Sequence, residues 1–154
     1  MVSQFLLISN LLNDKFVDDF DTGLMGKNAK ENAQCDEISL VVQELLEVMV
    51  PAYYQDDEEV KKAAWKRLEE KEYPRIFGEL EKRLVANGGE FMVGKQLTYA
   101  DFIMVWIITG MKEYVPCTAA FIDEKYPTMN KLCDRVVALP AIANYIKNRP
   151  VTDR

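Results

Sequence analysis

The block Leu97-Thr98-Tyr99-Ala100-Asp101-Phe102 and the run behind it, Ile103-Met104-Val105-Trp106-Ile107-Ile108, constrain this chain more than any other feature. Thr98 stands where a helix N-cap belongs and Asp101 lies three residues on, so each side chain satisfies a backbone donor near the other. Glu is the usual partner at that position, and Asp reaches back in the same way. Leu97 and Phe102 take the flanking positions of a hydrophobic staple. The next six residues are apolar on every side, and a helix apolar all round belongs in the centre of a domain. Asp101 therefore reads as structural rather than catalytic, and other elements must pack around its helix.

The rest of the chain from residue 28 supplies them. Ile38, Val41, Val42, Leu45, Leu46, Met49 and Val50 recur at three and four residues, a broad apolar stripe that Asn28 or Asn32 could cap and Pro51 ends or kinks. A second segment opens with Asp56-Asp57-Glu58-Glu59, acids that suit the first turn of a helix better than a cation site. Its expected core face is Val60, Ala64, Leu68, Ile76, Phe77, Leu80 and Leu84, with Trp65 and Tyr73 alongside; Pro74 predicts a bend or break, and Asn87-Gly88-Gly89 the end. Two helices fit the tail. One runs from Tyr126-Pro127 to Leu139 on Met129, Leu132, Val136 and Leu139. The other opens with Pro140, carries Ile142, Tyr145 and Ile146, and stops at Arg149-Pro150. With no period-two pattern, hairpin dipeptide or repeat, the fold class is all-α, a helical bundle.

Composition narrows the chemistry. The 154 residues contain no histidine, which removes Ser-His-Asp and Cys-His catalysis and any His-ligated metal from what they can build. Cys35, Cys117 and Cys133 are isolated and odd in number, so they read as small buried hydrophobes of a reduced, metal-free, cytoplasmic protein. The formal net charge of −6 argues against nonspecific nucleic-acid binding, and no stretch approaches the ~20 apolar residues of a membrane span.

Met1–Asn13 lacks the basic flank and cleavage site of a signal peptide. Phe5, Ile8, Leu12 and Phe16 are spaced for a short amphipathic helix, expected to fold back over the bundle, and Asp18, Asp19 and Asp21 for a helix end or linker. The expected division is an atypical segment over residues 1–23 and a helical domain over 24–154.

Four stretches also carry a resemblance: Gly23-Leu24-Met25-Gly26; Val93-Gly94-Lys95-Gln96 leading into the capped block; Tyr126-Pro127; and Ala138-Leu139-Pro140-Ala141-Ile142-Ala143-Asn144-Tyr145-Ile146-Lys147-Asn148-Arg149-Pro150. With them, residues 24–154 resemble the C-terminal helical domain of cytosolic glutathione S-transferases, nearest to the sigma class with its haematopoietic-type prostaglandin D synthases and S-crystallins. The resemblance implies glutathione as co-substrate, with no tightly bound cofactor, and an apolar pocket whose positions here are Leu46, Val50, Ile103 and Ile107. It implies that Glu44, where Asp is more usual, reaches across a dimer to the partner's glutathione.

The family's thioredoxin-like domain, which carries the catalytic Tyr and the glutathione-binding Gln-Ser pair, has no counterpart in the 23 leading residues, fewer than the roughly 30 of one βαβ unit. No catalytic residue and no metal ligand is therefore assigned. The expected function is a helical domain that takes an apolar small molecule and supports a homodimer or a protein partner, without conjugating glutathione alone. The alternatives are an active transferase or prostaglandin isomerase whose N-terminal domain is supplied elsewhere, and an S-crystallin-like structural or protein-interaction module.

Overall fold

The computed structural model describes residues 23–148, and all its regular structure there is helical. Helix α1 is Ala29–Tyr53 and α2 is Glu58–Arg67; a π-helical turn, Leu68–Glu72, joins α2 to α3, Tyr73–Ala86. Then come α4, Tyr99–Tyr114, α5, Pro116–Lys125, α6, Pro127–Val137, and α7, Pro140–Asn148. The expected helix over Phe5–Phe20, the stop at Arg149-Pro150 and the side chain of Cys117 lie outside the described residues.

Of the two candidate caps for α1, Asn28 serves: its side chain accepts from the amide of Glu31. Pro51 does not end α1, which continues to Tyr53 with the proline in its last turn. Asp57 caps α2, accepting from Glu59 and Val60 at 3.0 and 3.1 Å, with Glu58 and Glu59 in the first turn. The acidic run is thus a helix start.

At Pro74 the helix neither breaks nor stops. Proline lacks an amide hydrogen and its ring collides with the carbonyl four residues back. The chain widens the preceding turn instead, and the Tyr73 amide donates to the carbonyl of Leu68, five residues earlier. The wider turn also keeps Leu68 and Tyr73 on one face; both are buried. Val60, expected in the core, is 51% exposed: it lies on α2, a helix with no buried residue, beyond the end of the core.

Helix α4 is the centre, packed against α1, α5 and α6, while α3 closes the bundle against α1 and α6. Ile103, Met104, Ile107, Ile108 and Met111 are buried along it. Helix α5 has no counterpart in the sequence reading. α6 buries Met129, Leu132 and Val136 as expected, together with Cys133, and leaves Leu139 half-buried just past its end. α7 packs against α6 with Tyr145 67% exposed.

Candidate functional site

The capping box forms, and it does more than start a helix. The Asp101 carboxylate accepts the Thr98 amide and hydroxyl at 2.7 and 3.0 Å on one oxygen and the Met92 amide at 2.7 Å on the other. Burial pushes its pKa above the ordinary carboxylate value, against the pull of those hydrogen bonds and the charge of Arg135. Leu97 and Phe102 are half-buried against the core. The same turn grips the chain entering the bundle: the Tyr99 amide donates to Leu24 O at 3.0 Å and Gln96 Nε2 to Met25 O at 3.1 Å. The Tyr99 hydroxyl donates to Asp36 on α1, and burial together with that bond raises its pKa.

Glu44 lies on the exposed side of α1. Its Oε1 accepts from Arg75 Nη2 at 2.6 Å, and the same guanidinium holds Glu72 at 3.1 Å. Two helical turns away, Arg83 joins Glu37 at 2.8 Å and Glu79 at 3.3 Å. Hydrogen bonding to Arg83 holds the Glu37 carboxyl below its usual range. Exposed pairs of this kind add little stability. They do orient the carboxylates of α1 against α3.

The four residues assigned to an apolar pocket stand two and two. Ile103 and Ile107 are buried within the core of α4, while Leu46 and Val50 are half-buried on the flank of α1. A separate open groove lies where α1 meets α2 and the π turn. Val48, Pro51, Ala52, Ala64 and Leu68 give it apolar walls, and Gln55, Arg67 and Glu72 a polar rim. Arg67 and Glu72 pair across it at 3.7 Å. None of the four pocket residues lines this groove. Of the four, only the half-buried pair on α1 presents apolar surface.

Neither described thiol is activated. Cys35 and Cys133 are buried, and burial raises both pKa values, that of Cys133 to about 12. Thiols so placed stay protonated and are poor nucleophiles. Among the described residues no cluster of three or more Asp, Glu, Cys or His side chains is arranged to hold a metal ion.

Sequence spacing hid the groove and three polar contacts. Asp36 and Tyr99 are 63 residues apart, and Glu44 and Arg75 are 31. Glu81 on α3 accepts the amides of Thr128 and Met129 at 2.9 Å each, capping α6 from a neighbouring helix. The available signal was indirect: Tyr126-Pro127 opens α6 with no side-chain cap of its own.

Comparison with known proteins decides the family. The sequence profile of "Glutathione S-transferase, C-terminal domain" matches residues 43–149. The chain belongs to the glutathione S-transferase C-terminal domain family. Within that family it is 31% identical over 132 residues to the hematopoietic prostaglandin D synthase of Gallus gallus, covering 86% of this chain and 62% of that protein. It is 29% identical over 124 residues to glutathione S-transferase A3 of Mus musculus, covering 80% of this chain and 54% of the relative. The chain thus spans between half and two thirds of the length of these relatives.

Among solved structures, the prostaglandin synthase D of Nilaparvata lugens superposes with a TM-score of 0.73 at 26% identity over 84% of this chain and 63% of that one. The sigma-class glutathione S-transferase of Fasciola hepatica superposes at 0.69 and 22% identity, over 96% and 66%, a likeness of fold. No helix of the described residues is long and apolar enough to cross a membrane.

Proposed function

We propose that this glutathione S-transferase-family helical domain supplies the acceptor wall and the subunit contact of a sigma-like transferase or prostaglandin-isomerase assembly. The observation that carries this is the flank of α1, where Leu46 and Val50 stay half-open to one side of the helix and Glu44 is exposed on another. One helix thereby offers an apolar surface for a small molecule and an exposed carboxylate, paired with Arg75 of α3, in a chain whose relatives include a prostaglandin D synthase. The buried thiols of Cys35 and Cys133 and the hydroxyl of Tyr99 are driven toward their protonated forms, which supports this reading. On this reading, activation of glutathione belongs to a thioredoxin-like domain acting together with this one.

The reading is tested by calorimetry with glutathione, a conjugation assay with an electrophilic aromatic substrate and displacement of an apolar fluorescent probe, on protein of verified intact mass. The expected result is probe binding that Leu46→Asp and Val50→Asp weaken at least about tenfold, a charge being costly on an apolar contact surface. Glutathione at millimolar concentration is expected neither to bind nor to be turned over. Conjugation by this chain alone would overturn the division of labour. Probe binding indifferent to both substitutions would remove α1 as the acceptor wall. Concentration-dependent mass tests the subunit contact, and a monomer at every concentration would remove that part.

A further inference from the structure

Helix α3 ends at Asn87, and Gly88 and Gly89 turn the chain away from it with φ of +95° and +77°, a region that glycine enters freely. Asn87 itself keeps φ at −85° and is exposed. Its Nδ2 donates to Phe91 O at 2.8 Å and to Gly94 O at 2.9 Å, so the carboxamide ties the loop between α3 and α4 to the end of α3. The amide of Gly88 donates to Val85 O at 3.0 Å. An asparagine followed by a residue without a side chain is the arrangement most open to attack by its own backbone. Here the attacking amide of Gly88 is bonded to the end of α3, and the leaving nitrogen Nδ2 is held by the closed loop.

We propose that Asn87-Gly88 is a self-modification site, a deamidation centre held shut by the closed loop, whose product prevents the loop from closing again in the same way. In the opened loop the Gly88 nitrogen attacks Asn87 Cγ. The new N–Cγ bond forms, the Cγ–Nδ2 bond breaks, and Nδ2 leaves as ammonia with the proton given up by Gly88. Water then opens the five-membered imide at one carbonyl or the other, giving aspartate or isoaspartate. Water is the only co-reactant, and nothing is oxidised or reduced.

The product reverses the chemistry of the tie. A carboxylate only accepts, and it would face two carbonyl oxygens that also only accept. Lys27, Lys95 and Glu31 line the same small cleft with Asn87 and Gly94. The two lysines offset the added charge and Glu31 opposes it, but none supplies the paired donor that Nδ2 provides. Asp101 still holds the Met92 amide in the middle of the loop, so the loop loosens locally and the bundle stays folded.

The test incubates the full chain at mildly alkaline pH, folded and in urea, and follows the peptide containing Asn87 by mass spectrometry. Amide exchange over residues 87–98 is compared between the wild type and Asn87→Asp. Deamidation is expected at least about tenfold more slowly in the folded protein, the factor reporting how rarely the loop opens. Asn87→Asp is expected to keep its helix content and to exchange faster at residues 91–94. Equal rates folded and in urea would overturn the proposal, as would wild-type protection in Asn87→Asp. If that variant does not fold, exchange measured on wild-type protein aged to partial deamidation decides in its place, with unchanged protection in the modified fraction overturning it.

Discussion

One oxygen of Asp101 holds the amide of Thr98 and the other holds the amide of Met92, each at 2.7 Å, so a single buried carboxylate joins the first turn of α4 to the middle of the preceding loop. Replacing it with alanine removes a cap and leaves two amides without their acceptor. Asp101→Ala is expected to lower unfolding stability by roughly 2–4 kcal/mol, and Thr98→Ala by about 1 kcal/mol. Urea denaturation of the purified variants checks both. A loss for Asp101→Ala no larger than that for Thr98→Ala would mean the Met92 contact adds nothing.

The same carboxylate leaves a signature in pH. Its folded pKa lies above the ordinary 3.8, so between those two values the folded chain holds a proton that the unfolded chain has released. Stability from this group is therefore greatest in acid and falls as pH rises through the folded pKa. Glu37, held below its usual range by Arg83, slopes the other way. The difference between wild type and Asp101→Asn isolates the first effect. That difference is expected to shift against the wild type as pH rises from 3.8, and a flat one would show that hydrogen bonding cancels burial.

Ile107 is 1% exposed on the central helix, whereas Val50 is half-open on α1. Ile107→Ala is expected to cost roughly 2–4 kcal/mol through the cavity it leaves, and Val50→Ala about 1 kcal/mol. Thermal and urea unfolding distinguish the two. If Ile107→Ala were as mild as Val50→Ala, Ile107 would be lining free space.

Glu81→Ala removes the acceptor of two amides at the start of α6 and is expected to cost about 1–2 kcal/mol. Hydrogen exchange should accelerate first at Thr128 and Met129. Glu81→Gln, which keeps one acceptor oxygen, should fall between alanine and wild type.

What the sequence made legible was local or periodic. The capping box could be read because Thr98 and Asp101 are three residues apart, and the central place of α4 because its apolar residues leave no polar face. Asp57 and the end of α3 followed from residue types at helix ends. Contacts closed by tertiary packing could not be read in the same way. Nothing near Glu44 announces Arg75, and nothing near Asp36 announces Tyr99. Helix α5 escaped because Pro116–Lys125 carries few large apolar residues in any regular spacing, with Phe121 and Ile122 adjacent. Val60 misled because it keeps helical spacing with Ala64 and Leu68, yet the core ends before it. The π turn was half-legible: Pro74 marked the place, but the five-residue step from Leu68 to Tyr73 makes sense only once both are seen buried. At the candidate site, the exposure of Glu44 and the partial exposure of Leu46 and Val50 required the packed bundle.

Because α6 takes its N-terminal acceptor from Glu81, 47 residues before Thr128, that helix cannot complete its own first turn in isolation. A short helix opened by proline and lacking a local cap has little reason to persist in a free chain. Its first turn is completed only where α3 lies alongside, and α7 packs on α6 in turn. One side chain thus makes the start of a C-terminal helix depend on the flank of α3, so that a disturbance at Glu81 is passed to α6 and, behind it, to α7.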